Sequence, residues 1–259
     1  MYCLILIEKP LKIKNTLLLL LVFSFSCASV FSQQGKVDPT FNTYDDGLLG
    51  DGFDNTVRTL SVQDDGKLIV GGDFLNFNGV ATPYLCRLLP DGSKDASFFL
   101  GTGFNNKVYT SLLQPDGKIL VAGSFTQFNG TAVGRLVRLN PDGSRDSSFT
   151  ASPGATNSII YNMVLQSDGS IFLVGSFTSF NGTTANRIVK ILPNGAVDTS
   201  FVTGSGASGL IEKIALQSDG KIIIGGGFEE FNGSTVGKIA RLNANGTLDA
   251  SFITGVGFD

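Results

Sequence analysis

The sequence predicts an all-β fold, a β-propeller built from four-stranded antiparallel blades of about 51 residues, with four full repeats visible. Three motifs support this fold, because they recur with one period and in one phase. They are a Phe-Asn-Gly step, a Gln that precedes a turn and a Phe that ends each repeat. Their positions are Phe77, Phe128, Phe180 and Phe231; Gln63, Gln114, Gln166 and Gln217; and Phe98, Phe149, Phe201 and Phe252. The ring is either complete with these repeats or truncated.

Each repeat is predicted to contain four short strands joined by three tight turns. "VRTLSVQ" leads through Asp65-Gly66 into "KLIVGGDF", and Asp-Gly between two β-forming runs is a strong hairpin signal. The Phe-Asn-Gly step then connects to "YLCRLLP", and a second Asp-Gly at residues 91 and 92 precedes "KDASF". The predicted β-propeller repeats lie within residues 57–259 and span 57–98, 108–149, 160–201 and 211–252, referred to below as repeats 1 to 4.

The second strand of each repeat is predicted to be buried on both faces. "LIV", "ILV", "IFLV" and "III" are apolar at consecutive positions, which suits an inner strand between neighbouring blades. Glycines follow these runs at Gly71-Gly72, Gly123, Gly175 and Gly225-Gly226. We expect them to permit close backbone approach where the blades converge on the axis.

The Phe-Asn-Gly step is interpreted as a structural element. Asn-Gly supplies the positive φ angles that a tight reversal needs, and the two Phe side chains of "FTQFNG" are expected to fill the space between adjacent blades. The functional alternative is an aromatic platform for a sugar. Four equivalent copies fit a repeated core better than they fit one binding site.

Residues 1–32 are predicted to be a secretory signal peptide. Three lysines precede an apolar run over 17–25, and a stretch of small residues ends at Ser32. The alternative, a membrane-spanning helix, needs about 20 apolar residues, and this run is shorter and interrupted by serines. Lipid attachment at Cys27 stays open. We therefore expect a secreted or cell-surface protein without a membrane span, after cleavage near Ser32.

Residues 33–56 are predicted to be an N-terminal segment with a closing strand. "DPTF" at 38–41 matches the end of a repeat, as expected if this strand completes the final blade of a closed ring. Near the other end "GVGFD" echoes "GTGFN" at 101–105. Further blades or domains of a longer parent chain are therefore expected.

"LQPDGKILVAGSFTQFNG" together with "RLVRLNPDGSRDSSF" resembles the delta-60 repeat, a family of secreted bacterial repeat proteins. The resemblance covers about residues 38–259, and its motifs recur four times. It implies a β-propeller and no particular reaction, because the family has no assigned activity.

Composition argues against several kinds of chemistry. The chain has no His, which removes the commonest general base and zinc ligand. Without residues 1–32 it has 16 basic and 21 acidic residues, and nucleic-acid binding requires a basic surface. Cys86 is then a single cysteine, so it cannot form an intramolecular disulfide and is a poor nucleophile candidate without His. No catalytic, cofactor-binding or metal-binding residue is predicted.

Two acidic turns, Asp91–Asp95 and Asp142–Asp146, contain oxygen ligands of the kind that calcium prefers. They lack the alternating acidic run and the terminal Glu of a calcium loop, so ordinary turn chemistry is favoured and calcium stays an open alternative.

Two recurring charged positions are predicted to pair within each blade. They are Arg87, Arg138, Lys190 and Arg241 on the third strand, and Asp95, Asp146, Asp198 and Asp249 at the start of the fourth. The alternative is a basic ring that faces the channel and binds an anion.

These observations predict a secreted, non-catalytic β-propeller module for binding or structural spacing. Its partner is expected to be an extracellular protein or a glycan, bound by the loops that vary between repeats, "FLGTGFNNK", "TASPGATNS" and "VTGSGASG". The alternative is a carbohydrate-active enzyme that uses Asp carboxylates at the propeller channel.

Overall fold

The computed structural model describes residues 38, 40–43, 51–151, 154, 155 and 157–253. The predicted signal peptide, residues 1–32, lies outside them. The chain divides after Val37, and Asp38–Asp259 forms one compact unit. Among the described residues, no helix is long and apolar enough to cross a membrane.

The described part of this unit contains twenty β-strands, five in each repeat. Repeat 1 contains β1 (Val57–Val62), β2 (Leu68–Gly72), β3 (Asn76–Phe77), β4 (Val80–Ala81) and β5 (Leu85–Leu88). Repeat 2 contains β6 (Val108–Leu113), β7 (Ile119–Gly123), β8 (Gln127–Phe128), β9 (Thr131–Ala132) and β10 (Leu136–Leu139). Repeat 3 contains β11 (Ile160–Leu165), β12 (Ile171–Gly175), β13 (Ser179–Phe180), β14 (Thr183–Thr184) and β15 (Ile188–Ile191). Repeat 4 contains β16 (Ile211–Leu216), β17 (Ile222–Gly226), β18 (Glu230–Phe231), β19 (Ser234–Thr235) and β20 (Ile239–Leu242).

Each repeat folds as an antiparallel blade, which confirms the predicted fold class. In repeat 1 the strand order is β1-β2-β5, and the other three repeats have the equivalent order. The fourth strand is a single β-bridge, Leu88 with Lys94 in repeat 1. It is this short because the chain turns at once: the Asp95 carboxylate accepts a hydrogen bond from the Ser97 amide, and the Phe98 amide donates to the Asp95 carbonyl.

The Phe-Asn-Gly step forms a separate two-stranded hairpin, β3 with β4 in repeat 1. Asn78 and Gly79 have φ angles of 48° and 70°, which is the mirror-image turn that Asn-Gly favours. The equivalent pairs in the other three repeats also have positive φ. The predicted role of Asn-Gly is thus confirmed.

The first strands lie at the inner edge of the blades, since β1 contacts β6, β6 contacts β11 and β11 contacts β16. The second strand is instead the middle strand, so its assignment as the inner strand was wrong. Its predicted burial on both faces is confirmed, and β12 is buried along its whole length. Burial on both faces does not distinguish an inner strand from a middle one, because the neighbouring blades cover the two faces of either strand.

The glycines that end the second strands serve a contact inside the blade, which corrects the expected approach between blades. A β-bulge between Val57 and Thr59 brings the backbone of β1 against Gly72. A Cβ atom on Gly72 would collide with the Thr56 carbonyl oxygen, and Gly123, Gly175 and Gly226 face the equivalent carbonyl in their own repeats. The preceding Gly71 does face the next blade, at Val108.

The apolar cores lie between successive blades. Phe125 and Phe128 of repeat 2 are buried in one cluster with Ile69, Leu85 and Phe98 of repeat 1. Equivalent clusters join repeat 2 to repeat 3 and repeat 3 to repeat 4. The prediction that the two Phe side chains fill the space between blades is therefore confirmed.

The ring is not closed by the described residues. Val108, Ile160 and Ile211, which begin the first strands of repeats 2 to 4, are fully buried by the preceding blade. The equivalent Val57 of repeat 1 is 41% exposed. One face of repeat 1 thus lacks the covering blade that the other three repeats have.

Candidate functional site

The recurring charged residues form ion pairs within each blade, as predicted. The nitrogen–oxygen distances are 2.8 Å for Arg87 and Asp95, 2.8 Å for Arg138 and Asp146, 3.1 Å for Lys190 and Asp198, and 2.7 Å for Arg241 and Asp249. The alternative of a basic ring facing the channel is wrong for Arg87 and Arg138, because both side chains are buried at the third strand.

These arginines also connect successive repeats. Arg87 donates to the Ser97 hydroxyl at 3.2 Å and to the carbonyl of Pro141, in the next repeat, at 2.6 Å. Its guanidinium carbon lies 4.6 Å from the centre of the Phe98 ring. Arg138 makes the same set of contacts one repeat later. The arginine therefore belongs to the framework of the fold.

The paired carboxylates are held in their charged form. Burial raises the pKa of Asp95, but hydrogen bonds from Ser97 and Arg87 outweigh it, so the net pKa lies below the usual range. The Lys221 ammonium, with Ser251 and Arg241, lowers the pKa of Asp249. These Asp side chains have the environment of structural ion-pair members.

The acidic turns considered for calcium show ordinary turn bonding. The Asp142 carboxylate accepts hydrogen bonds from the Ser144 amide at 2.9 Å and the Ser144 hydroxyl at 2.6 Å. Asp146 is paired with Lys118 as well as with Arg138. In the part of the chain that the structure describes, no group of three or more His, Cys, Asp or Glu side chains could hold a metal ion.

Cys86 lies inside the blade of repeat 1, on β5, with a free thiol. Burial raises the pKa of this thiol to about 12. Thiolate is the reactive form of cysteine, so this environment agrees with the interpretation of Cys86 as a poor nucleophile.

The loops predicted as the contact surface are anchored to the Phe-Asn-Gly hairpins. In "FLGTGFNNK" the Gly103 carbonyl accepts a hydrogen bond from the Asn129 amide, and Asn105 accepts from the amides of Thr126 and Gln127. Residues 152, 153 and 156 of "TASPGATNS" lie outside the described residues. Each loop leads directly into a first strand, so the loops border the inner edge of the blades.

The inner edge carries one position that sequence reasoning missed. The second residue of each first strand is Arg58, Tyr109, Tyr161 or Glu212, one per repeat, at spacings of 51, 52 and 51 residues. The signal was available, since a position that changes chemistry inside a repeated strand can be read from the sequence. It was overlooked because the first strand had not been assigned to the inner edge.

The four side chains at this position are referred to here as the inner-strand cluster. The rings of Tyr109 and Tyr161 meet edge to face, with centres 5.3 Å apart, and both are half-buried. The Arg58 guanidinium lies over the Tyr109 ring, 4.6 Å from its centre. Arg58, Tyr109, Tyr161 and Glu212 line a cleft of about 340 Å³ together with Lys213.

Asp73 fixes the charged side of this cluster. Its carboxylate, buried at the end of β2, accepts hydrogen bonds from Arg58 at 2.7 Å and from Lys107 at 2.9 Å. The bond from Arg58 is the main reason that the pKa of Asp73 is lowered, and the same bond raises the pKa of Arg58. Since Arg58 and Lys107 share one carboxylate, a positive charge remains on this side of the cluster, and Glu212 is the cluster's own anion.

A larger cleft, of about 490 Å³, lies beside Arg87 and Phe98 in repeat 1. A cleft of about 260 Å³ occupies the equivalent place in repeat 3. Because it recurs at equivalent residues, this cleft is a feature of the blade framework. The inner-strand cleft differs, since the repeats contribute an arginine, two tyrosines and a glutamate to it.

Comparison with known proteins gives one family match. The model described as "Domain of unknown function (DUF5122) beta-propeller" matches residues 63–98, 114–149, 166–201 and 217–252. No curated protein matches the sequence.

Two solved structures illustrate the likeness in fold. Virginiamycin B lyase from Staphylococcus aureus is 16% identical with a TM-score of 0.48, over 76% of this chain and 57% of that protein. XC5397 from Xanthomonas campestris, described as a gluconolactonase, is 14% identical with a TM-score of 0.45, over 74% of this chain and 60% of that protein. The matched region thus spans less than two thirds of either protein.

Proposed function

Because the chain belongs to the DUF5122 β-propeller family, we propose that it is a secreted, non-catalytic β-propeller module that binds an extracellular ligand at the inner-strand cluster. The signal-like residues 1–32 support export. The motif "LQPDGKILVAGSFTQFNG" supports assignment of the repeats to the delta-60 type.

One observation carries this proposal: a framework repeated four times presents three kinds of side chain at one position of its first strands. Arginine, two tyrosines and glutamate replace one another on neighbouring first strands. A purely structural position in a repeat would keep its chemistry, as the buried Phe and the Arg–Asp pairs do. Variation of side-chain chemistry at a cleft on a repeated scaffold is typical of a recognition surface.

The chemistry of the cluster favours a glycan as the ligand. A half-buried tyrosine ring offers an apolar face with a polar hydroxyl at its edge, which suits the ring of a sugar. Since Arg58 already lies over Tyr109, this role falls to Tyr161. Arg58, Lys213 and Glu212 add donors and acceptors around that surface. The Asp73 carboxylate beside the cluster is engaged in ion pairs with Arg58 and Lys107. Among the described residues that line the cleft, Glu212 is thus left without a second free carboxylate of the kind that glycoside hydrolysis uses, which supports binding over hydrolysis.

The test is glycan binding by the mature chain. A panel of plant and microbial polysaccharides is screened by affinity electrophoresis, and binding is then quantified by calorimetry. We expect Tyr161→Ala to weaken binding at least tenfold, because a sugar ring that stacks on the tyrosine loses its contact surface when the aromatic ring is removed. The control is Leu192→Ala, since Leu192 is an apolar residue of the same repeat that is 38% exposed and lies outside the cleft and the variable loops.

Three outcomes count against the proposal. Equal binding by Tyr161→Ala and the wild type would place the ligand elsewhere, and no binding to any glycan would remove the ligand class. Release of reducing sugars by the wild type, lost in Glu212→Gln, would replace binding with the enzymatic alternative.

A further inference from the structure

A short segment at the start of the unit, Asp38 with residues 40–42, reproduces the end of a repeat. The Asp38 carboxylate accepts hydrogen bonds from the Thr40 amide at 2.9 Å and the Thr40 hydroxyl at 2.7 Å. Asp95 accepts the same two bonds from Ser97, at 2.9 and 2.6 Å. The segment thus has the local structure of the Asp-x-Ser-Phe motif.

This segment also occupies the equivalent place on the following blade. The Asn42 amide donates to the carbonyl of Asp91 at 2.7 Å, as the Phe99 amide donates to the carbonyl of Asp142 at 2.9 Å. The backbone of Gly92 lies against Asn42, as that of Gly143 lies against Phe99. Relative to repeat 1, the segment therefore stands where the end of a preceding repeat would stand.

In repeats 1 and 2, the end of the repeat and the turn of the following blade together bind an arginine side chain. Arg87 is bound by the carboxylate of Asp95, the hydroxyl of Ser97, the ring of Phe98 and the carbonyl of Pro141. The equivalent groups at the start of the unit are the Asp38 carboxylate, the Thr40 hydroxyl, the Phe41 ring and the Pro90 carbonyl. Among the described residues, no cation contacts Asp38, and Phe41 is 40% exposed where Phe98 is 7% exposed.

We propose that Asp38, Thr40, Phe41 and the Pro90 carbonyl form a guanidinium socket. Its occupant is the third-strand arginine of a blade that lacks an Asp-x-Ser-Phe motif of its own. Such a blade would also cover exposed apolar side chains of β1, the first strand of repeat 1. These are Val57, Leu60 and Val62, which are 41%, 56% and 60% exposed.

A second copy of this chain does not meet that requirement. The open face of repeat 4 would present Arg241, but this arginine is already bound by Asp249 and Ser251 and lies over Phe252. The Asp-x-Ser-Phe segment of repeat 4 would compete with Asp38 and residues 40–42 for the same place on repeat 1. The socket therefore favours the arginine of a blade without its own Asp-x-Ser-Phe segment over the arginine of a blade that has one.

The test uses the intact mature chain and a peptide probe. Acetyl-LVRLN-amide has the sequence of β10 followed by Asn140, and acetyl-LVALN-amide, in which the arginine is replaced by alanine, is the matched control. Binding is followed by ¹⁵N chemical shifts of the amides of Thr40, Phe41 and Asn42. We expect the arginine peptide to bind at least tenfold more tightly than the alanine peptide, with saturable shifts at these amides.

Protein variants define the site. Asp38→Asn should weaken binding of the arginine peptide at least tenfold, because a charge-assisted hydrogen bond is lost. Asp116→Asn, a change at an exposed Asp of repeat 2, should leave it unchanged. Equal binding of the two peptides, shifts elsewhere, or an unchanged affinity in Asp38→Asn would each overturn the proposal.

Discussion

Arg138 shows how a single side chain stabilises this molecule at three points. It pairs with Asp146, donates to Pro193 in the next repeat and lies over Phe149. The recurrence of Arg and Asp predicted the pairing within the blade, since the two residues are only eight apart. The bond to the next repeat could not be predicted, because nothing in the local pattern marks a carbonyl 55 residues further along the chain.

Replacing Arg138 by Ala should lower the free energy of unfolding by about 2 kcal/mol, because Asp146 keeps Lys118 but loses its guanidinium partner, and the Pro193 carbonyl loses a donor. The measurement is urea denaturation followed by circular dichroism. Arg145→Ala is the control, as Arg145 is exposed, and we expect it to cost less than about 0.5 kcal/mol. Equal losses in the two variants would show that the pair contributes little.

At the level of the strand, two adjacent glycines of β17 have different roles. A Cβ atom on Gly226 would collide with the backbone of Leu210 and Glu212, whereas the nearest atom to one on Gly225 is 3.8 Å away. The other repeats support this difference, because repeat 2 has an alanine, Ala122, at the position equivalent to Gly225.

Gly226→Ala should therefore destabilise the protein by roughly 2 kcal/mol, since the first strand must shift and its ladder with β17 must distort. Gly225→Ala should be neutral or slightly stabilising, because alanine restricts the unfolded chain. Thermal melting of the two variants against the wild type measures the difference. A melting temperature lowered equally by both changes would contradict it.

The strands illustrate what the sequence could and could not predict. Asp-Gly and Asn-Gly turns and the runs of apolar residues located three strands and the hairpin of every blade. The apolar run of β12 predicted burial on two faces, but such a run does not tell which edge of the blade meets the axis. For that reason the first strand was not recognised as the inner one, and the inner-strand cluster on it was missed.

Over the whole molecule, stability should depend on pH only in acid. The pKa values of Asp73, Asp95, Asp146, Asp198 and Asp249 are all lowered in the folded state. A lowered folded pKa contributes stability above the unfolded value, near 3.8, and that contribution is lost as pH falls through the folded pKa.

The melting temperature should thus be nearly constant from pH 5 to 8, where the chain has no His to titrate, and should fall progressively below about pH 4. Circular dichroism melts from pH 2 to 8 measure this profile. The Asp146→Asn variant should be less stable at neutral pH and show a shallower fall in acid. A steep change between pH 5 and 7 would be contrary to this account.

The hydrogen bonds that Arg87 and Arg138 donate to the following blade limit the insertions and deletions that the gene can accept. Arg87 and the Pro141 carbonyl are 54 residues apart and Arg138 and the Pro193 carbonyl are 55 apart, so both bonds span slightly more than one repeat. Duplication or deletion of a whole repeat restores every such bond with a new neighbour. A change of half a repeat would place the guanidinium opposite the wrong turn, so viable length variants should differ by whole blades.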